Sequence, residues 1–277
     1  MRLDTGARTD VGRLRNNNED SHHLVRELNL FVLSDGMGGE AHGEVASSMA
    51  VQAVAEHCLE AANNRSAPFF GESRPDLSER TNRLLSAVDF ANRRVHAAAS
   101  ENTAQRGMGA TILAAWLDDQ RLSLAHVGDS RAYLLRAGTL EQLTADHSLV
   151  AEQVRRGLLT PQQAESSEMQ SVLLRALGTH EEVEADADEY LLLDGDALLL
   201  CSDGLTRMVT DPEIASTLLT HASAQEAADR LVVLANEYGG EDNITVIVLR
   251  VLRESNGLFA RLRRWSRSSG SKPGPAS

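Results

Sequence analysis

Aromatic residues are scarce in this 277-residue chain: Phe, Tyr and Trp together make up only 4% of it. Hydrophobic residues still reach 42%, enough for a sizeable core, which must therefore be built mostly from Leu, Val and Ala. Cysteine is nearly absent. Cys58 and Cys201 sit in apolar surroundings without metal-ligand spacing, which argues against a disulfide framework or a thiolate metal site and for two buried free thiols. No apolar stretch approaches the roughly 18 residues that a membrane-spanning helix needs. Met1 to Asp10 is polar and does not read as a secretory signal, so the expected location is the cytoplasm.

Positive charge is also in short supply, and unevenly placed. The net charge is −13, yet residues 253–277 carry six Lys/Arg against one Glu, a net of +5, which leaves −18 for residues 1–252. A body that acidic argues against nucleic acid as a partner, since nucleic-acid binding rests on a basic surface. It is compatible with a cation site.

Strand and helix signals run from Leu3 to Leu252 with no long linker, which favours one domain, residues 1–252, followed by a tail, residues 253–277. Strands are expected over 3–9 and 21–34, the latter breaking near 27–29. Ala-rich sequence over 42–62 and an apolar face of Leu84, Val88, Ala91 and Val95 within 77–99 predict two long helices. Strands near 111–117, 121–127 and 131–136, separated by short turns, predict an antiparallel meander. Residues 147–182 change character and form a loop-rich insertion with short helical pieces. Strands return over 183–202, helices over 211–219 and 224–237, and a last strand over 244–252. That order suggests layers of helix and antiparallel sheet and not alternating βαβ units. In the tail, Leu258, Phe259, Leu262 and Trp265 share one helical face with arginines interleaved. Such a segment suits an anionic membrane or an acidic partner. A helix packed on the chain's own acidic body, or a frayed end, is the plainer reading and the preferred one.

Four segments each set an aspartate beside a tight-turn residue: Ser34-Asp35-Gly36-Met37-Gly38-Gly39, Gly128-Asp129-Ser130-Arg131, Ser202-Asp203-Gly204 and Glu241-Asp242-Asn243. Three follow directly on an apolar run and the fourth precedes one, so all four aspartates stand at strand ends. Carboxylates gathered at one edge of a β-core repel one another unless a cation sits among them, and oxygen-only ligands suit Mg²⁺ or Mn²⁺.

The ordered set Arg15-Asn16-Asn17-Asn18-Glu19-Asp20, Asp35-Gly36-Met37-Gly38-Gly39, Gly107-Met108-Gly109-Ala110-Thr111, Gly128-Asp129-Ser130-Arg131, Asp203-Gly204 and Asp242-Asn243 resembles the metal-dependent serine/threonine protein phosphatases, the PPM or type 2C family, in its bacterial form. The resemblance covers residues 4 to 252. It implies an α+β fold, a four-layer αββα sandwich of two antiparallel sheets flanked by helix pairs. It implies two core Mn²⁺ or Mg²⁺ ions and a weaker third. Asp35 would bridge the two core ions and the Gly36 carbonyl would bind one of them, with Asp203 and Asp242 holding the other. Asp129, whose plain role is a hairpin turn, would help with the third ion. Glu19 would act through bound water, with Asp20 in support. Arg15 matches the arginine that grips the substrate phosphate, where a guanidinium fork donates two hydrogen bonds to two oxygens. Arg131 reads as structural, a partner for a carboxylate.

The implied reaction is direct hydrolysis of phosphoserine or phosphothreonine on proteins by a hydroxide bridging the two ions, in line at phosphorus, with no covalent phosphoenzyme. Many members have a histidine where this chain has Met37, which has no proton to donate. His147 is one candidate for the general acid and a metal-bound water is another, although a lone histidine near a strand end is more often structural. Residues 147–182 match the family's variable flap, and Ser166, Ser167 and Glu168 make it polar here. Partners by analogy are phosphorylated proteins, a Ser/Thr kinase and its substrates, met by a monomer. A binding-only relative of the fold would lack Asp35, Asp203 or Asp242, and all three are present. A nucleotide-binding reading of the 36–39 glycines fails because no Gly-x-Gly-x-x-Gly opens a βαβ unit.

Overall fold

The computed structural model describes residues 1–38, 42–64, 66–102, 105–165, 167 and 169–252. The basic tail, Gly39 of the first turn and the flap residues Ser166 and Glu168 lie outside them.

Two antiparallel sheets stack face to face. The first has the order β1 (Arg2–Asp10), β11 (Ile244–Leu252), β10 (Ala197–Cys201), β7 (Arg131–Arg136) and β8 (Thr139–Gln142). The second runs β2 (Asp20–Val25), β3 (Leu30–Met37), β5 (Ile112–Asp118), β6 (Arg121–Val127) and β9 (Asp186–Leu191), with the short β4 (Gly109–Ala110) paired to the end of β3. Helices α1 (His42–Asn63) and α2 (Glu79–Glu101) cover the second sheet. Helices α6 (Asp211–Thr220) and α7 (Ala224–Glu237) cover the first. The architecture is the four-layer sandwich that the resemblance implies.

The central strands are apolar at nearly every position because both of their faces are buried. On β3, Leu30 and Val32 face the helices while Phe31 and Leu33 face the opposite sheet. On β11, Ile244, Val246 and Val248 face α6 and α7, whereas Ile247, Leu249 and Val251 fill the space between sheets. Truncating a side chain such as Leu33, fully buried in that middle layer, to Ala costs about 2–5 kcal/mol through lost transfer energy and the cavity left behind. Side-chain capping fixes where the helices begin: Ser78 Oγ accepts from the Thr81 N–H, and Thr210/Glu213 and Ser223/Glu226 form reciprocal capping boxes.

Registers bring the chemistry-bearing turns to one end of the sandwich. Asp20 on β2 lies opposite Asp35 on β3, Asp10 opposite Ile244, and Arg131 opposite Cys201. The β5–β6 pair closes at the same end with Ile112 opposite Val127, just before the Gly128-Asp129 turn. Short elements such as β4, β8 and the four-residue α5 (Asp203–Thr206) escape a periodicity reading, because none is long enough to show a period. Between β8 and β9, the insertion contains α3 (Leu149–Arg155) and α4 (Pro161–Glu165) and rejoins the core where Leu177 bridges to Ala110. Cys58 and Cys201 are free and buried, and burial pushes the Cys201 thiol up to about 12, which leaves it an inert core residue.

Candidate active site

Asp35 sits where β3 leaves the sheet, and its backbone is held from both sides. Its N–H donates to Thr111 Oγ1 at 2.9 Å, and the Thr111 N–H donates to its carbonyl at 2.8 Å. Thr111 Oγ1 is in turn 2.8 Å from Ser130 Oγ, so one threonine links the Asp35 turn to the Gly128-Asp129 turn. The next residue must be glycine. A Cβ on Gly36 would come within 2.0 Å of the Gly43 carbonyl oxygen, because α1 starts against the end of β3. Glu19 lies in the same crowded corner, with its carboxylate where a Cβ on Gly43 would fall.

Asp203 opens α5 directly after β10, and Asp242 comes two residues before β11. Their turns press together so closely that a Cβ on Gly204 would meet the Asn243 carbonyl oxygen at 2.1 Å. Asn243 then ties three segments together. Its Oδ1 accepts the Glu19 N–H at 2.7 Å, and its Nδ2 donates to the Val11 and Asn17 carbonyls, each at 2.9 Å. The loop that presents Arg15 is thereby fixed to Asp242. Arg15 Nη2 reaches Asp242 Oδ2 at 2.8 Å while half of its side chain stays in solvent.

These groups line one cavity of about 400 Å³, which holds Arg15, Glu19, Asp35, Asp129, Asp203 and Asp242 on its walls. Its electrostatics are those of charges held in excess. Burial, then the neighbouring aspartates, raise the Asp35 carboxyl well above the usual range. Burial chiefly, with Asp203 and Asp146, raises Asp129 to about 8. Burial raises Asp20 to about 7, with Asp203 and Asp242 adding to it. Asp203 is raised by burial and partly brought back by Arg207. Among the described residues, Asp203 Oδ1 and Asp20 Oδ1 are buried with no hydrogen-bond partner. Buried carboxylate oxygens without donors are costly unless a cation satisfies them. An all-oxygen set of this kind fits hard divalent ions such as Mg²⁺ or Mn²⁺.

Seven of the eight sequence-derived site residues meet here; His147 does not. Its side chain is 2% exposed and lies behind the Gly128-Asp129 turn. The Gly128 N–H donates to His147 Nδ1 at 3.2 Å, so the neutral ring carries its proton on Nε2, which faces Asp186 Oδ2 at 3.2 Å. Burial lowers its pKa despite that carboxylate, and the ring stacks on His126 with centroids 4.7 Å apart. Among the described residues lining the cavity there is no histidine. His126, His147 and Asp186 are close enough to suggest a metal cluster of their own. Two facts oppose it: Nδ1 of His147 is already an acceptor, leaving Nε2 protonated, and Arg175 Nη1 sits 2.8 Å from Asp186.

Arg131 makes the structural pair expected of it, with Nε and Nη2 on the Asp146 carboxylate at 2.7–3.1 Å. Arg207, Thr111 and Asn243 also hold the site together, although no role was expected of them. Arg207 lies four residues after Asp203, but α5 is too short for that spacing to read as helical in the sequence. Nothing in the sequence announces the bridging roles of Thr111 and Asn243, which depend on segments distant in the chain.

Comparison with known proteins agrees with the geometry. A family model described as protein phosphatase 2C matches residues 13–238. The chain is 38% identical over 245 residues to the serine/threonine phosphatase Stp of Listeria welshimeri, covering 87% of this chain and 93% of that one. It superimposes on a serine/threonine phosphatase of S. agalactiae with a TM-score of 0.79 at 34% identity, over 90% of this chain and all of that one. The PstP catalytic domain, solved with two manganese ions, gives a TM-score of 0.77 at 38% identity over 91% and 99% of the two chains.

Proposed function

The chain belongs to the protein phosphatase 2C family and is a metal-dependent protein-serine/threonine phosphatase, and on that premise we propose a role for each group in the cavity. The observation that carries the assignment is the set of buried, mutually repelling carboxylates around Asp35, two of whose oxygens lack a donor. Asp35 and the Gly36 carbonyl, with Asp203 and Asp242, are the groups that would hold two Mn²⁺ or Mg²⁺ ions. Asp129 would contribute to a third, and Glu19 would act at one remove. Ions held there supply Lewis acidity and an activated water nucleophile.

The chain's own residues do the rest. Arg15 releases Asp242 and turns its fork to the phosphoryl oxygens, for which its long, half-exposed arm has the reach. Thr111 and Asn243 keep the carboxylates from moving as charge develops, so that stabilisation needs no reorganisation. The proton for the departing Ser or Thr alkoxide comes from solvent in the cavity, since Met37 has none to give and His147 holds its proton on Nε2, directed at the Asp186 carboxylate.

We assign residues 1–252 to the catalytic body, 147–182 to a flap and 253–277 to a separate tail. The reading places a monomer in the cytoplasm, acting on phosphoproteins made by a Ser/Thr kinase. Hydrolysis of a phosphothreonine peptide with Mn²⁺ or Mg²⁺, abolished by EDTA and restored by adding the ion back, is the expected result. Turnover that persists in EDTA would overturn it.

A further inference from the structure

One cation already stands among the carboxylates. Arg207 caps α5, and its spacing of four residues from Asp203 folds its side chain back over the same helical face. Its Nη2 pairs with Asp203 Oδ2, and its Nη1 lies 3.6 Å from Asp242 Oδ2. The side chain is only 25% exposed, half as much as that of Arg15. Asp129 and Asp35 also act on its charge. Among the described residues, every carboxylate it touches or feels is thus one assigned to a cation, and Asp203 has one oxygen on Arg207 and the other without a partner.

We infer that Arg207 is a resident counter-cation of the metal site, which holds Asp203 and Asp242 together in the metal-free protein and competes with the metals for them. This rests on the metal-site reading above. A guanidinium keeps its charge at any working pH and cannot be neutralised to make way. A divalent ion entering the same carboxylates must therefore displace it or bear its repulsion in a partly desolvated site. By linkage, whatever stabilises the metal-free form alone weakens metal binding. Arg207 would thereby set how much cation the enzyme needs. Arg15 differs, since its charged partner among the described residues is Asp242 and its side chain leads out to solvent.

The test uses the full chain stripped of metal, with Mn²⁺ alone as the probe. Binding is measured by calorimetry and melting is measured in EDTA for wild type, Arg207→Gln and Arg207→Lys. Arg207→Gln should bind Mn²⁺ about tenfold more tightly, which corresponds to about 1.4 kcal/mol. Its metal-free form should melt lower by about 2–4 °C. Arg207→Lys, which keeps the charge, should bind within about twofold of wild type. Loss of the metal-free fold in Arg207→Gln, rescued by Mn²⁺, would be the same result in stronger form. Equal or weaker Mn²⁺ binding by Arg207→Gln would overturn the inference and make Arg207 a residue that orients Asp203 for the metal. Failure of wild type to bind Mn²⁺ at all would instead remove the metal-site reading beneath it.

Discussion

Two polar clusters flank the Gly128-Asp129 turn, and they are built in opposite ways. On one side the cavity gathers Asp35, Asp129, Asp203 and Asp242 with carboxylates in excess of donors, and burial drives three of them toward protonation. On the other side His147 gives both ring nitrogens to neighbours, and Asp186 takes Nε2 of His147 and Nη1 of Arg175, so that among the described residues the one buried atom of this cluster without a partner is His126 Nδ1. The first cluster is completed by something the chain does not supply. The second is nearly complete as folded. Both are rich in titratable groups, so richness alone does not mark a working site; the excess of buried carboxylates over donors is what separates the two here.

The comparison breaks most visibly at Asp35. Asp35→Asn should cost a factor of about 10³ or more in kcat, comparable with losing a major electrostatic contributor. It should also raise the melting temperature measured in EDTA, because a buried charge repelled by its neighbours has been removed. A variant that is both inactive and less stable without metal would put Asp35 in the structural class. Arg15→Ala comes next. Losing the phosphate fork should lower kcat/KM by about 10- to 100-fold, or about 1.4–2.7 kcal/mol of transition-state binding, with Mn²⁺ affinity little changed.

His147 should behave in the reverse manner. His147→Gln leaves buried partners unsatisfied and should cost about 1–3 kcal/mol of stability. Its kcat should stay within about threefold of wild type, because no reacting atom is in reach. A loss of kcat near the 10²–10⁴ typical of a general acid, with melting unchanged, would return the proton-donor role to it.

The smallest effect is the pH response, where the two clusters should titrate in opposite senses. The carboxyls have folded pKa values above 3.8, about 7 for Asp20 and about 8 for Asp129. Their stability contribution is present below about pH 4 and is lost as pH rises through 7 to 8 in the metal-free protein. His126 is lowered from 6.5 to about 4, by burial first and by His147 next, so its contribution is present above 6.5 and lost as pH falls toward 4. Melting curves should therefore show Mn²⁺ stabilising more at pH 8 than at pH 6, while His126→Gln flattens only the acid side. A shift from Mn²⁺ that is equal at both pH values would erase the distinction.

Much of this was legible in the sequence, for physical reasons that differ by element. Strands such as β3 and β11 are buried on both faces, so their apolar runs stand out without any period, and their ends coincide with Asp35 and Asp242. The α2 stripe of Leu84, Val88, Ala91 and Val95 reads as a helix because one face alone is buried. His147 lies outside the cavity, which the sequence cannot show: it displays a titratable ring but not its burial, and here the ring's nitrogens meet Gly128 and Asp186. Arg207 stayed hidden because it lies beyond a four-residue turn, too short to be recognised as a helix on which spacing would count.

Asn243 and the strand that follows it also fix a moment in the chain's synthesis. Ile244–Leu252 is the last described element to be made, yet it lies inside its sheet, between β1 and β10. Until it emerges, the first strand has no neighbour in the sheet, and the loop carrying Arg15 lacks the Asn243 bonds that fix it near Asp35. A nascent chain from which this strand has not emerged would thus hold its first strand unpaired and the Arg15 loop unfixed, whatever else of it had folded. A chain that ends before Ile244 is therefore expected to be an inactive fragment and not an unregulated hydrolase.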